Sequence, residues 1–226
     1  MRTNIATVFD KNHIVKTVAF YNTLISLGNY TFWFLCIDSE TKKIMMRLNL
    51  SNVILITPEE MGDQELLATK TNRSFAEFVF TSKSVFVNYI LNKIKDGEAL
   101  IYSDNDIIYF SSPENLLIRM KNEQFSIGII PHKFLDKNKH MEKVGRYNAG
   151  LIYLIVDENS RACISDWRKD CIEWCYLIYE KERFGDQKYI DKWAQKYRGV
   201  YEIPDKGINL GSWNLFNFKV TKKDNK

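Results

Sequence analysis

The sequence predicts an α/β domain built on a mostly parallel central sheet flanked by helices. Three observations carry that expectation. Short apolar runs of strand length alternate along the chain with longer segments of helical period. One of those runs, Tyr30 to Ile37, is dense enough in apolar and aromatic residues to suit burial on both faces. The 226 residues, 45% hydrophobic and 14% aromatic, can bury one sizeable core, and no linker or internal repeat divides them.

Taken in order, Asn4 to Phe9 reads as a strand and Val15 to Leu27 as an amphipathic helix. Tyr30 to Ile37 reads as a dense aromatic strand, Glu40 to Leu48 as a helix, and Val53 to Ile56 as a third short strand. Thr57, Pro58 and Glu60 form a helix start in which Thr57 caps and Glu60 completes a capping box. A long helix is expected from Ser74 to Lys95, ending near Gly97, with Phe75, Phe78, Phe80 and Phe86 in the core. Glu98 to Ser103 is the next strand, and Ser112-Pro113-Glu114 opens another helix. Phe125 to Ile130 and Leu151 to Val156 are further strands. Arg161 to Tyr179 completes the pattern as a helix burying Ile164, Trp167, Cys171, Trp174 and Ile178.

Composition narrows the function classes. The formal net charge of +4 favours anionic ligands or an anionic surface without demanding either, and no basic array suggests nucleic acid. Lys219, Lys222, Lys223 and Lys226 crowd the end, as a solvated tail or a contact to a membrane surface. Cys36, Cys163, Cys171 and Cys175 lack metal-site spacing and read as free core thiols, the last two on one helix face. The first apolar run is too brief for a signal peptide, and no run reaches membrane-spanning length. A cytoplasmic protein is expected, with peripheral contact at the inner face of the membrane as the one membrane role.

Chemistry is expected at Ile101-Tyr102-Ser103-Asp104-Asn105-Asp106-Ile107-Ile108-Tyr109-Phe110, an apolar run interrupted by two carboxylates. In an extended segment residues two apart share a side, so Asp104 and Asp106 would offer hard oxygen ligands to one Mg²⁺ or Mn²⁺ on a diphosphate. Taken alone, an Asp-x-Asp of this kind reads first as a turn capped by Asp104 and Asn105 after a buried strand. In a parallel sheet, ligands bind beyond the carboxyl ends of the strands, where this pair lies.

Further candidates recur in a definite order: Thr7-Val8-Phe9-Asp10, Asp104-Asn105-Asp106, Tyr147-Asn148-Ala149-Gly150, Gly185-Asp186-Gln187 and Gly207-Ile208-Asn209. This ordered set resembles the GT-A fold (Rossmann-like) nucleotide-sugar glycosyltransferases, particularly the glycogenin-like and bacterial lipopolysaccharide sugar transferases. The resemblance spans nearly the whole chain. It implies one domain over 1–226, with a nucleotide-binding part at about 1–110, an acceptor and sugar part at about 111–218, and a basic tail at 219–226.

By that resemblance Asp104 and Asp106 hold the metal, with Asn105 beside them at the donor. Thr7, Val8, Phe9 and Asp10 cradle the nucleoside, although the residues alone read as well as a plain strand end. Lys83 corresponds to a basic residue facing the donor phosphates, against the alternative of a solvated surface lysine. Asn148, Ala149 and Gly150 face the donor sugar, where a small residue lets ligand approach backbone. Asp186 and Gln187 form the catalytic pair beside the anomeric carbon, with a plain helix cap at Asp186 as the alternative. Phe184 and Trp213 are candidates for an apolar sugar platform or for core.

The implied activity is metal-dependent transfer of a hexose from a nucleotide diphosphate sugar, a UDP-sugar foremost, to a polysaccharide or lipopolysaccharide acceptor, with retention the softer expectation. For an inverting enzyme, Glu77, Asp157 or Asp186 is the candidate base. The family's metal-binding His near the C-terminus has no counterpart after His140, so by the resemblance either the chain is truncated relative to the family, or Asp205 or Asn209 substitutes, or metal binding is weak. That departure supports a second reading, a non-catalytic sugar-nucleotide or glycan-binding protein on the same fold. Synthesis of sugar nucleotides is disfavoured, because Asp10-Lys11-Asn12-His13 lacks the glycines of a triphosphate loop.

Overall fold

A computed structural model describes residues 1–221, so most of the basic tail lies outside the described residues. The chain runs β1 (Thr3–Phe9), α1 (Ile14–Ile25), β2 (Thr31–Cys36), α2 (Ser39–Leu48) and β3 (Val53–Ile56). Then follow α3 (Pro58–Met61), α4 (Gln64–Thr69), α5 (Phe75–Leu91), β4 (Ala99–Ser103), α6 (Glu114–Asn122) and β5 (Ile127–Ile129). β6 (Leu151–Ile155), α7 (Glu158–Glu173), α8 (Trp193–Lys196) and β7 (Val200–Glu202) complete it.

One seven-stranded sheet has the order β3-β2-β1-β4-β6-β5-β7. β1 pairs in parallel with β2 and β4, β2 with β3, and β5 with β7. β6 runs antiparallel to both β4 and β5. Alternate strand residues feed two cores. Ala6, Val8, Leu100 and Tyr102 pack under α5 and α7, while Ile5, Phe9, Ala99 and Ile101 pack under α1 and α6.

Two features of this sheet position the site. The chain leaves β1 toward β2 and returns to β4 on the other side, so the carboxyl ends of β1 and β4 flank a topological switch point. Because β6 is antiparallel to β4, with Ser103 opposite Leu151, the residues preceding β6 meet those following β4.

Local sequence explains most element starts. Thr57 and Glu60 form the expected capping box at α3, and Ser74 and Glu77 form another at α5. α7 begins three residues earlier than expected because Asp157 accepts from Ser160 N and caps it. It ends at Glu173 rather than Tyr179. There the guanidinium of Arg73 donates to the carbonyls of Ile172 and Glu173, at 3.2 and 3.3 Å, and stacks 3.8 Å from the Tyr176 ring. Orphan carbonyls at the helix end are thus satisfied from a distant part of the chain.

Beyond α7 the chain is irregular, so Ile178 is exposed and Trp174 only partly buried, against the expectation that both are core. Cys175 follows the helix instead of sharing its face with Cys171, though all four cysteines are buried free thiols. α5 stops at Leu91, short of Lys95. β7, which sequence periodicity did not indicate, is a three-residue edge strand paired, among the described residues, with β5 alone.

Candidate active site

The carboxylates Asp104 and Asp106 are not in a strand. β4 ends at Ser103, and Asp104, Asn105 and Asp106 begin a turn, so both carboxylates reach one cavity by the turn rather than by strand alternation. Ile108 and Phe110, further along the same run, are exposed. Asp104 is fixed by three contacts. Its N–H donates to Gly150 O at 2.7 Å, its Oδ1 accepts from Tyr102 Oη at 2.7 Å, and Lys83 Nζ lies 3.5 Å from the same oxygen. Asp106 is exposed, and Asn105 is buried with its amide donating to Thr17 Oγ1 at 2.8 Å.

A cavity of about 320 Å³ opens at the switch point. Val8, Phe9, Asp10 and His13 form one wall, Phe75, Val79, Phe80 and Lys83 of α5 another, with Tyr102 and the Asp104–Asp106 turn between them. Phe75 is exposed and Phe80 partly buried, so these two line the cavity instead of joining Phe78 and Phe86 in the core. Thr7 does not reach the cavity; it is fully buried in β1, its hydroxyl without a hydrogen-bond partner.

Asp10 closes the β1 end tightly. Its carboxylate accepts from Asn12 N, Asn12 Nδ2 and His13 Nδ1 at 3.1, 2.9 and 2.5 Å. Burial works to raise its pKa, but hydrogen bonds from His13 and Asn12 outweigh burial and hold it below the usual carboxylate value.

A second cavity of about 220 Å³ adjoins the first and shares Phe80, Lys83 and Asp104 with it. Asn148, Ala149, Gly150, Leu177 and residues Phe184 to Gln187 complete its lining. Asn148 Oδ1 accepts from Gly150 N at 2.7 Å. Gly150 allows a close approach: a Cβ there would lie 2.5 Å from Asp104 Oδ2 and 2.9 Å from Asn148 Oδ1, so one of these side chains would have to shift. Trp213 lines neither cavity and stands edge-on to His132.

Lys83 joins the two cavities, and it is no surface lysine. Only 5% exposed, it sits 2.9 Å from Asp186 Oδ2 and 3.5 Å from Ala149 O. Burial opposes its charge, but Asp104 and Asp186 together raise its pKa, so it stays protonated. Burial raises the Asp186 pKa in turn, with Lys83 opposing. The contact from Lys83 is close yet outside hydrogen-bond geometry for Asp186 Oδ2, which makes it an ion contact more than a directed bond.

Asp186 does not cap a helix. A short 3₁₀ turn, Lys188–Lys192, follows it without a side-chain cap, and Trp167 Nε1 donates to Asp186 O at 2.8 Å. Gln187 Nε2 donates to Val144 O at 3.3 Å. Glu77 and Asp157, the alternative bases, are spent on capping α5 and α7. Sequence reasoning passed over Tyr102, Phe80 and Leu177 as site residues. Each sits in an apolar run whose only visible signal is core, and only the fold turns them to a cavity.

No family model matches the chain. It is 29% identical to the uncharacterized protein YfnD of Bacillus subtilis (strain 168) over 97% of its own length and 71% of that protein's. YfnF of the same organism is 25% identical, over 96% and 74% respectively. Among solved structures it superposes on the galactosyltransferase LgtC, solved with donor and acceptor sugar analogues, with a TM-score of 0.59 and 16% identity, over 88% of this chain and 72% of that one. Mouse xyloside xylosyltransferase 1 gives 0.56 at 12% identity, over 90% and 85%. The mannosyltransferase PcManGT of Pyrobaculum calidifontis, solved with GDP-Man and Mn²⁺, gives 0.52 at 10% identity, over 90% and 55%.

The chain has the GT-A fold.

Whether the GT-A site's residues suit a divalent cation can be read from the donors present. Asp104 Oδ1 is engaged by Tyr102 and Lys83, while Oδ2 accepts no protein hydrogen bond among the described residues. With exposed Asp106 on the same cavity, two hard oxygen donors are available, and a diphosphate would supply others. The set fits Mg²⁺ or Mn²⁺ bound jointly with substrate. Neither proposed substitute for the absent histidine is a free ligand: Asp205 is ion-paired with Arg119, and Asn209 Oδ1 accepts from Asn148 Nδ2 at 3.2 Å.

Proposed function

We propose that the protein is a glycosyltransferase that moves a hexose from a nucleoside diphosphate sugar, foremost a UDP-sugar, to a polysaccharide or lipopolysaccharide acceptor. The observation that carries this reading is the pair of adjoining cavities with Lys83 and Asp104 at their junction. The larger one, walled by Val8, Phe9, Asp10 and α5, suits the nucleoside; the smaller, walled by Asn148–Gly150, Asp186 and Gln187, suits the sugar. The diphosphate then spans the junction.

Asp104 and Asp106 would hold Mn²⁺ or Mg²⁺, which neutralises charge developing on the leaving diphosphate. Lys83 adds a fixed positive charge on the same side and opposes the rise that burial gives the Asp186 pKa. Gly150 and Ala149 let the hexose lie against backbone, and Asn148 orients its hydroxyls. Asp186 and Gln187 border the face of the anomeric carbon. Because Asp186 is held as an ion pair, it suits electrostatic support of a cationic transition state better than proton abstraction, which favours retention. A cytoplasmic location fits a sugar-nucleotide donor, and among the described residues no helix is long and apolar enough to cross a membrane.

The test is donor hydrolysis without acceptor across UDP-, GDP-, CMP- and dTDP-sugars, with Mn²⁺ and with a chelator. Slow, chelator-sensitive cleavage of one donor is expected. Tight binding of a donor with no cleavage, with or without acceptor, would instead favour the non-catalytic binding protein.

A further inference from the structure

A cavity larger than either donor pocket lies outside both. It encloses about 420 Å³ between residues 107–113, α6 and residues 205–209. We propose that this cleft is the acceptor subsite and binds a neutral pyranose of the acceptor glycan. The inference rests on the glycosyltransferase reading above.

Its chemistry suits a sugar. Tyr109, Tyr153 and Leu151 supply apolar surface, while Asn115, Arg119 and Asp205 supply donors and acceptors. Arg119 and Asp205 are ion-paired, so they present a cation's N–H groups and a carboxylate side by side, an arrangement that vicinal hydroxyls can bridge. That pairing cancels the charge of Arg119, which leaves exposed Lys206 as the one uncompensated cation among the described lining residues. Phe110 and Ile108, 78% and 59% exposed, stand among the lining residues, where the C–H face of a ring can stack. A volume of this size is in the range of small-ligand clefts, about 300–1,000 Å³.

Buried polar atoms in this lining are also left without partners. Arg119 Nε and Asn209 Nδ2 make no hydrogen bond, and Tyr109 Oη, fully buried beside Ser103 and Tyr153, makes none of good geometry. Buried donors are normally satisfied, so a cluster of them beside a cavity points to a ligand or ordered water that completes the set. Asn209 further adopts the left-handed conformation, φ 60°, held by Asn214 Nδ2 on its carbonyl at 3.1 Å.

The cleft connects to the donor side through two short links. Asn209 lines the cleft and accepts from Asn148, which lines the sugar cavity. Ile107 lines the cleft, and its neighbour Asp106 lines the nucleoside cavity. A pyranose in the cleft would therefore lie beside the donor sugar's pocket.

The experiment is saturation-transfer NMR on the full chain with the methyl glycosides of glucose, galactose, mannose and N-acetylglucosamine. UDP with Mn²⁺ is titrated in the same samples. Asn115→Trp fills the cleft from α6 at an exposed side chain that makes no hydrogen bond among the described residues. Its melting curve checks folding, and Ser111→Trp replaces it if it does not fold. The expected result is saturation transfer to at least one glycoside, weakened tenfold or more by the tryptophan. Transfer to none of the four, or equal transfer to the folded variant, overturns the proposal. UDP binding with no glycoside transfer fails the cleft alone; glycoside transfer lost in the variant without UDP binding upholds the cleft and fails the donor reading; loss of both fails both.

Discussion

Lys83 Nζ and Asp186 Oδ2 lie 2.9 Å apart with each side chain about 6% exposed, and Lys83 is also 3.5 Å from Asp104 Oδ1. A lysine on α5 thereby ties the carboxylate after β4 to the carboxylate before the 3₁₀ turn at Lys188. The pair is costly to break from one side, because removing Lys83 leaves Asp186 as an unpaired buried charge. Lys83→Ala is expected to destabilise the fold by about 3–5 kcal/mol in denaturant melts. Adding Asp186→Asn to Lys83→Ala is expected to recover part of that loss. A double variant no more stable than Lys83→Ala would show that the ion pair is not the source of the cost.

Gly150→Ala tests the meeting of β4 and β6. A Cβ 2.5 Å from Asp104 Oδ2 forces the carboxylate or the backbone to move. Overpacking of this kind costs about 1–3 kcal/mol. The stronger expected effect is loss of the Mn²⁺-dependent part of UDP affinity, read by calorimetry with and without a chelator. Unchanged metal dependence would remove Asp104 Oδ2 from the metal site.

Asp104→Asn and Asp106→Asn keep size and remove charge. Each is expected to lower donor turnover in saturating Mn²⁺ by at least a hundredfold, equivalent to about 2.7 kcal/mol of transition-state stabilisation. Asp104→Asn should also reduce stability, since Lys83 loses one of its two counter-charges, whereas exposed Asp106→Asn should melt like the parent. Turnover retained by both variants refutes the metal-site reading.

Acid stability should report Asp166. Hydrogen bonds from Lys196 at 2.8 Å and Tyr197 at 2.6 Å lower its pKa from 3.8 to about 2. A carboxylate with a depressed folded-state pKa contributes stability that is present above its unfolded value and lost as pH falls through the folded one. Asp166→Asn is therefore expected to lower stability at neutral pH and to flatten its decline between pH 4 and pH 2, measured by urea melts across that range. An unaltered slope would mean the contacts carry no net linkage. Asp10, whose pKa is also lowered, shares the sign of this effect.

Arg73→Ala should loosen the segment after α7 without unfolding the domain. Its guanidinium holds the carbonyls of Ile172 and Glu173 and stacks on Tyr176. Faster amide exchange is expected at residues 174–187, the stretch that brings Leu177, Phe184, Asp186 and Gln187 to the sugar cavity. Exchange rising equally throughout would indicate global destabilisation instead.

What the sequence determined by itself is local. Alternating strand and helix periods laid out the sheet, the capping residues Thr57 and Ser74 set two helix starts, and the order of the Asp104, Asn148 and Asp186 motifs indicated the fold. These signals are legible because capping, periodicity and turn chemistry act between residues a few positions apart. Tertiary structure decided the rest. It reversed β6 so that Gly150 meets Asp104, buried Lys83 between two carboxylates, and ended α7 at Glu173 through Arg73, about 100 residues earlier in the chain. It also turned Phe75 and Phe80 from expected core to cavity wall. A long apolar helix carries no local mark of which stripe meets the sheet and which lines a cavity. A buried lysine carries none of its partners, because its charge is balanced only by groups that the fold brings from elsewhere.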